Sequence, residues 1–233
     1  MTDAHGAIIR GDVDQPEIAL VLTADEYADG SDHIRRVFNE HHIKASFFLT
    51  GNFYRNPEFS SLIKELKVDG HYLGAHSDRH LLYADWKERD SLLVTEEEFM
   101  QDLLRNYQRM AQFGITQEEA PYFLPPYEWY NSKIADWTKE IGFQLVNFTP
   151  GTRSAADYTY PQMGNRYLSS EAIYQSIMAY EQKDEHGLNG FILLVHLGTD
   201  PRRTDKFYYR LDELLTTLRR KGYYFIRIDE LLE

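Results

Sequence analysis

Two histidines four positions apart, His76 and His80, close the run Gly74-Ala75-His76-Ser77-Asp78-Arg79-His80. Imidazoles at i and i+4 of a helical turn share a face, so both rings then reach one metal ion. Such a pair alone more often marks a solvated helix face. It becomes a centre only if the chain also delivers carboxylates and an acid–base group. Two carboxylates, Asp25 and Glu26, follow one apolar run, and His196 follows another, Phe191-Ile192-Leu193-Leu194-Val195. Each has a plainer reading alone: acids before a helix suit its macrodipole, and a histidine behind an apolar run is commonly a core residue. Together they are the groups that metal-assisted acid–base chemistry uses.

The elements that must position these groups alternate along the chain. Glu17 to Thr23 and Ala45 to Leu49 read as buried strands, each followed by a helical pattern. The first helix opens at Ser31 and carries Ile34, Val37 and Phe38; the second follows Asn56-Pro57 with Leu62, Ile63 and Leu66 on one face. His71 to Ala75 is a third strand, and Thr95-Glu96-Glu97-Glu98 is a capping box opening a helix with Phe99, Leu103, Tyr107 and Met110. Strands then fall at Tyr122 to Leu124, Phe143 to Phe148, Phe191 to Val195 and Tyr223 to Ile228. Helices carry Ile134, Trp137 and Ile141, then Ile173, Ile177 and Tyr180, then Leu211, Leu214, Leu215 and Leu218. A long Gly/Thr/Tyr/Pro-rich loop covers 149 to 168, and loops of that length are commonly functional. About seven strand–helix units without a break describe one α/β domain over residues 1–233, most simply a closed or nearly closed parallel barrel. In such barrels the reactive groups gather where strands end. Asp25-Glu26, His76 and His80, Pro126-Tyr127 and His196 all follow predicted strands.

Composition removes other classes. The 233 residues carry 25 basic and 37 acidic side chains, a formal charge of −12, which repels phosphate backbones and argues against nucleic acid. No run approaches the roughly 20 apolar residues of a membrane span. Residues 1 to 15 lack the apolar stretch of a signal peptide. The absence of cysteine excludes disulfides and thiolate metal sites. Tyr54, Tyr83, Trp86, Trp129, Tyr130, Tyr158 and Tyr160 fall in predicted loops; most pack those loops down, and one or two are placed to stack on a sugar ring.

The motifs resemble those of the polysaccharide deacetylases, the NodB-homology or carbohydrate esterase family 4 group. Thr23-Ala24-Asp25-Glu26 resembles the family's Thr-Phe-Asp-Asp, and His76-Ser77-Asp78-Arg79-His80 matches its His-Ser/Thr-x-x-His in full. Leu124-Pro125-Pro126-Tyr127 is similar to Arg-Pro-Pro-Tyr, Leu193-Leu194-Val195-His196 to Leu-x-x-His, and Ser46-Phe47-Phe48-Leu49-Thr50-Gly51 to the second-strand Thr-Phe-Phe-Val-x-Gly. The likeness runs in order from about Glu17 to Leu232. It implies a distorted (β/α)7 barrel of NodB-homology type.

The resemblance also implies roles. Glu26, His76 and His80 would hold one divalent metal ion, zinc first, with cobalt, nickel or iron also suited to an oxygen and two nitrogens. Asp25 would be the general base, Tyr127 the oxyanion donor through its main chain, and His196 the acid that protonates the leaving group. The products would be acetate and a free amine or hydroxyl on a glycan, and the family setting is extracytoplasmic. Three departures stand out. The metal-ligand Asp of the family is Glu26 here, one methylene longer. The arginine that steadies the base is replaced by Leu124, with Arg153 as its nearest substitute in the long loop. The Asp that tunes the acid histidine has only a faint echo in Asp157-Tyr158. The leading expectation is a metal-dependent deacetylase of an acetylated saccharide or polysaccharide. The alternatives are another amide (non-peptide C–N) hydrolase on the same barrel, and a carbohydrate-binding domain that has lost catalysis.

Overall fold

Seven strands and eight α-helices follow one another through residues 1–233, all of which the computed structural model describes. In chain order these are β1 (Glu17–Ala24), α1 (Ser31–Glu40), β2 (Ser46–Leu49), α2 (Gly51–Arg55), α3 (Ser60–Val68), β3 (Tyr72–Ala75) and α4 (Glu96–Ala111). They continue with β4 (Tyr122–Phe123), α5 (Ser132–Glu140), β5 (Gln144–Leu145), α6 (Ser170–Lys183), β6 (Phe191–His196), α7 (Leu211–Arg220), β7 (Tyr224–Ile226) and α8 (Ile228–Leu231). The chain folds as two compact units, one of Met1–Ile9 with Phe47–Asn147 and one of Arg10–Ser46 with Phe148–Glu233.

In the first unit the strand order is β5-β4-β3-β2, with β3–β4 and β4–β5 parallel. The expected strand at Phe143 to Phe148 shrinks to two residues. Its apolar run continues as an isolated parallel bridge from Val146 to Ile8, so the hydrophobic pattern is spent on a non-strand partner. α4 starts at the capping box foreseen for it, Thr95 receiving the Glu98 N–H and Glu98 receiving the Thr95 N–H. Its buried face carries Phe99, Leu103, Tyr107 and Met110, but also two polar residues, Asp102 and Asn106.

In the second unit β6 and β7 both pair in parallel with β1. Both β1 and β6 are apolar along nearly their whole length and buried, as a strand covered on both faces must be. Leu211, Leu214, Leu215 and Leu218 bury one stripe of α7 at helical spacing. α1 opens at Ser31 as expected, with Gly30 in the cap position and no side-chain cap bond. No helix is long and apolar enough to cross a membrane.

Candidate functional site

His76 follows β3 directly, and the chain to His80 is not helical, contrary to the shared helix face expected from the spacing. The two rings still meet, with centroids 5.2 Å apart. The device is backbone: Ser77 (φ 75) and His80 (φ 55) both take left-handed conformations, which non-glycine residues adopt at a cost that surrounding contacts must over-determine. Those contacts come from several sides. The His80 N–H donates to Ser77 Oγ at 2.8 Å, the His76 N–H to Asn106 Oδ1 at 2.8 Å, and the Arg79 N–H to Asp102 Oδ1 at 3.2 Å. From the start of α2, the N–H groups of Gly51 and Asn52 donate to the carbonyls of Ser77 and Asp78. Arg55 holds the buried Asp78 carboxylate, and a Cβ on Gly51 would fall on that same carboxylate. Gly51 thus lets α2 pack closely against the histidine loop.

His76 Nδ1 lies 2.7 Å from the Leu124 carbonyl. A carbonyl only accepts, so Nδ1 carries the proton and Nε2 the lone pair, the arrangement typical of a metal-ligating imidazole and its outer partner. Leu124 itself is fully buried. Where the family has arginine, this chain contributes an apolar side chain to the core and its carbonyl to His76.

Three residues further, Tyr127 (φ 59) and Glu128 (φ 53) form a second left-handed pair, held by N–H bonds from Glu128 to Pro125 and from Trp129 to Pro126. The Tyr127 ring is 44% exposed and lies 4.4 Å from the His80 ring, and Trp86, 55% exposed, packs edge-on at 5.6 Å. Trp129 follows at 5.4 Å from Trp86, its indole N–H donating to the Asp85 carbonyl and its face covered by the Arg89 guanidinium. An aromatic surface therefore begins at His80. Of the other loop aromatics, Tyr54, Tyr83 and Tyr130 are buried.

In the second unit, His196 is the last residue of β6, and the register sets it beside Thr23 of β1. Asp25, half-buried, and Glu26, exposed, come just after that point. The pKa of the neighbouring Tyr27 hydroxyl is raised by burial and by the Asp200 and Glu26 charges. His196 is gripped twice by one buried carboxylate. Its Nδ1 lies 2.6 Å from Asp157 Oδ1, and its main-chain N–H donates to Asp157 Oδ2 at 2.9 Å. Asp157, in which the sequence offered only a faint echo of a motif, is the carboxylate that meets His196. Its signal was hidden because the partners lie 39 residues apart and the pairing is made by a loop.

Arg153 does not take the role considered for it: it is exposed, in a left-handed conformation, and its side chain forms no ion pair. Sequence reasoning also missed Arg203, fully buried, which donates to the carbonyls of Thr159 and Leu168 and to Ser170 Oγ, stapling the long loop that presents Asp157. Asp29 accepts from the Thr199 N–H, the Tyr208 hydroxyl and Lys206, and so ties down the chain beyond His196.

The donor chemistry of the histidine pair fits a divalent cation: two close imidazoles, one with its tautomer fixed. Within that unit no third His, Asp or Glu completes a metal-holding group, and Glu26, the expected carboxylate, belongs to the other unit.

A family model for polysaccharide deacetylase matches residues 12–146. The chain is 26% identical over 219 residues to the peptidoglycan-N-acetylmuramic acid deacetylase PdaA of Bacillus subtilis (strain 168), an alignment covering 93% of this chain and 72% of that protein. Among solved structures, the Bc1960 peptidoglycan N-acetylglucosamine deacetylase superposes with a TM-score of 0.77 at 19% identity, covering 98% of this chain and 93% of that one. Wild-type BA3943, described as a CE4 family pseudoenzyme from Bacillus anthracis, gives 0.74 at 18% identity, over 99% and 70% of the two chains. The fold expected from the sequence, a distorted (β/α)7 barrel of NodB-homology type, is the fold shared with these structures.

Proposed function

The chain belongs to the polysaccharide deacetylase family, and on that premise we propose that it is a metal-dependent hydrolase removing acetyl groups from an N- or O-acetylated saccharide or polysaccharide. The observation that carries this reading is the His76–His80 pair, closed to 5.2 Å on a strained loop with the His76 tautomer fixed by Leu124. His76, His80 and Glu26 would hold the ion. When bound, a divalent cation polarises an acyl carbonyl and acidifies water. Asp25 would take the proton from the attacking water, and the Tyr127 main-chain N–H would donate to the oxygen that gains charge. His196, oriented by Asp157, would give its Nε2 proton to the departing amine or hydroxyl as the acyl bond breaks. Acetate leaves with the water oxygen, and the glycan keeps the proton.

The aromatic surface from Tyr127 through Trp86 to Trp129 supports a sugar substrate, since flat apolar rings offer a face to a pyranose. The names of the relatives make peptidoglycan the first polymer to try, which would set the work of the chain outside the cytoplasm. A second reading, a glycan-binding domain without catalysis, is favoured by Leu124 in the place of the family arginine. His80→Ala separates the two. The deacetylase reading expects loss of both metal retention and acetate release with the circular dichroism spectrum kept; unaltered glycan binding by a wild type that releases no acetate would favour the second.

A further inference from the structure

The carbonyls of the histidine loop are met from α2, and its N–H groups at His76 and Arg79 are met from α4. Asp102 and Asn106 are one turn apart on the buried face of that helix, where polar groups are costly unless fully bonded. Both are bonded, and to the same short loop. Asn106 Oδ1 accepts the His76 N–H, while Nδ2 donates to the Leu49 carbonyl at 3.2 Å, so one amide ties the end of β3 to the end of β2. Because an N–H only donates and a carbonyl only accepts, the amide has one satisfying orientation. Asp102 Oδ1 accepts the Arg79 N–H, and Oδ2 accepts the Tyr83 hydroxyl at 2.6 Å. Tyr83 is fully buried; burial first, and the Asp102 charge second, push its pKa up and keep it a donor. The Ser77 hydroxyl oxygen in turn receives the His80 N–H.

We infer that Asn106 and Asp102 are positioning residues for the histidine pair, holding the left-handed loop in the one conformation that brings the His76 and His80 rings together. Three successive demands meet here. The His76 and Arg79 N–H groups end on α4 side chains directly, and the His80 N–H ends on Ser77 between them. Without those acceptors the cost of two non-glycine residues at positive φ is left to the α2 contacts on Ser77 and Asp78, and the rings can part. The inference rests on the metal-site reading proposed above.

The test measures affinity for added Zn²⁺ and Co²⁺ by chelator competition, with the visible Co²⁺ spectrum and the melting temperature of the metal-free protein. The wild type is compared with Asn106→Leu, Asp102→Asn and a control, Tyr107→Phe. Tyr107 neighbours Asn106 on α4 and is also buried, but its hydroxyl donates to the Ala120 carbonyl, away from the loop. Asn106→Leu is expected to weaken metal binding about 10- to 100-fold, the usual cost of losing an outer partner of a ligand, and to shift the Co²⁺ bands. Tyr107→Phe should lower the melting temperature with affinity unchanged. Should Asn106→Leu fail to fold, Asp102→Asn carries the test, with a several-fold loss expected. Affinity in these variants equal to that of Tyr107→Phe would overturn the inference alone. A wild type that takes up no metal would overturn the reading beneath it.

Discussion

One side chain, Asp157, bonds both the ring and the main-chain N–H of His196. Asp157→Asn keeps the shape and removes the charge. It is expected to lower kcat/KM by on the order of 10²-fold. Unchanged kcat/KM would take Asp157 out of the support of His196. Asp25→Asn tests the base: metal should be retained while turnover falls about 10²- to 10⁴-fold, and unchanged turnover would take Asp25 out of the mechanism. At this scale the sequence speaks clearly where the motif is contiguous. His76 and His80 are legible from spacing, although a shared helix face is not the device the backbone uses. Asp157 and Arg203 are obscure because a long loop, not a strand or helix, brings them to their partners, and no periodicity encodes that.

Elements carry two further expectations. Asp29 gathers the chain beyond β6: burial alone would raise its pKa, but its bonds to Lys206, the Thr199 N–H and Tyr208 lower it below the ordinary value. A depressed carboxylate contributes stability that is present above its unfolded pKa, about 3.9, and is lost as pH falls through the lower folded value. Wild-type melting temperature should therefore drop on acidification below about pH 4. Asp29→Asn should start lower at neutral pH and lose less over that range; equal slopes would show that Asp29 contributes nothing to the acid limb. The loop element carrying Trp86 is pinned by Trp129 and Arg89, so its ring is presented and not merely exposed. Trp86→Ala should raise KM for an oligosaccharide about 2- to 10-fold, the worth of an aromatic contact, with kcat nearly unchanged. A fall in kcat at constant KM would place Trp86 elsewhere in the reaction. Strands and long helices are readable from period and caps, as α4 and α7 illustrate. α2 and α8, at five and four residues, are too short for a helical period to register. β5 is shorter than its apolar run because Val146 pairs with Ile8, a long-range choice that a local pattern does not contain.

For the whole molecule, fold and family agree with the reading from motifs: the polysaccharide deacetylase model matches residues 12–146 and the structural likeness extends over nearly the whole chain. The fold alone does not decide activity, since the same architecture serves a chain described as a deacetylase and one described as a pseudoenzyme. Leu124 sharpens that question, because the family arginine is gone and Arg153 does not replace it. The base must work with other support, or not at all. The direct measurement is acetate release by the full chain, stripped of metal with a chelator and reloaded with zinc or cobalt, on acetylated chitooligosaccharides, xylan and peptidoglycan. Release that vanishes on stripping and returns with about one equivalent of metal per chain is the expected result. No acetate from any of these substrates with any metal, from a chain that still binds them, would contradict it.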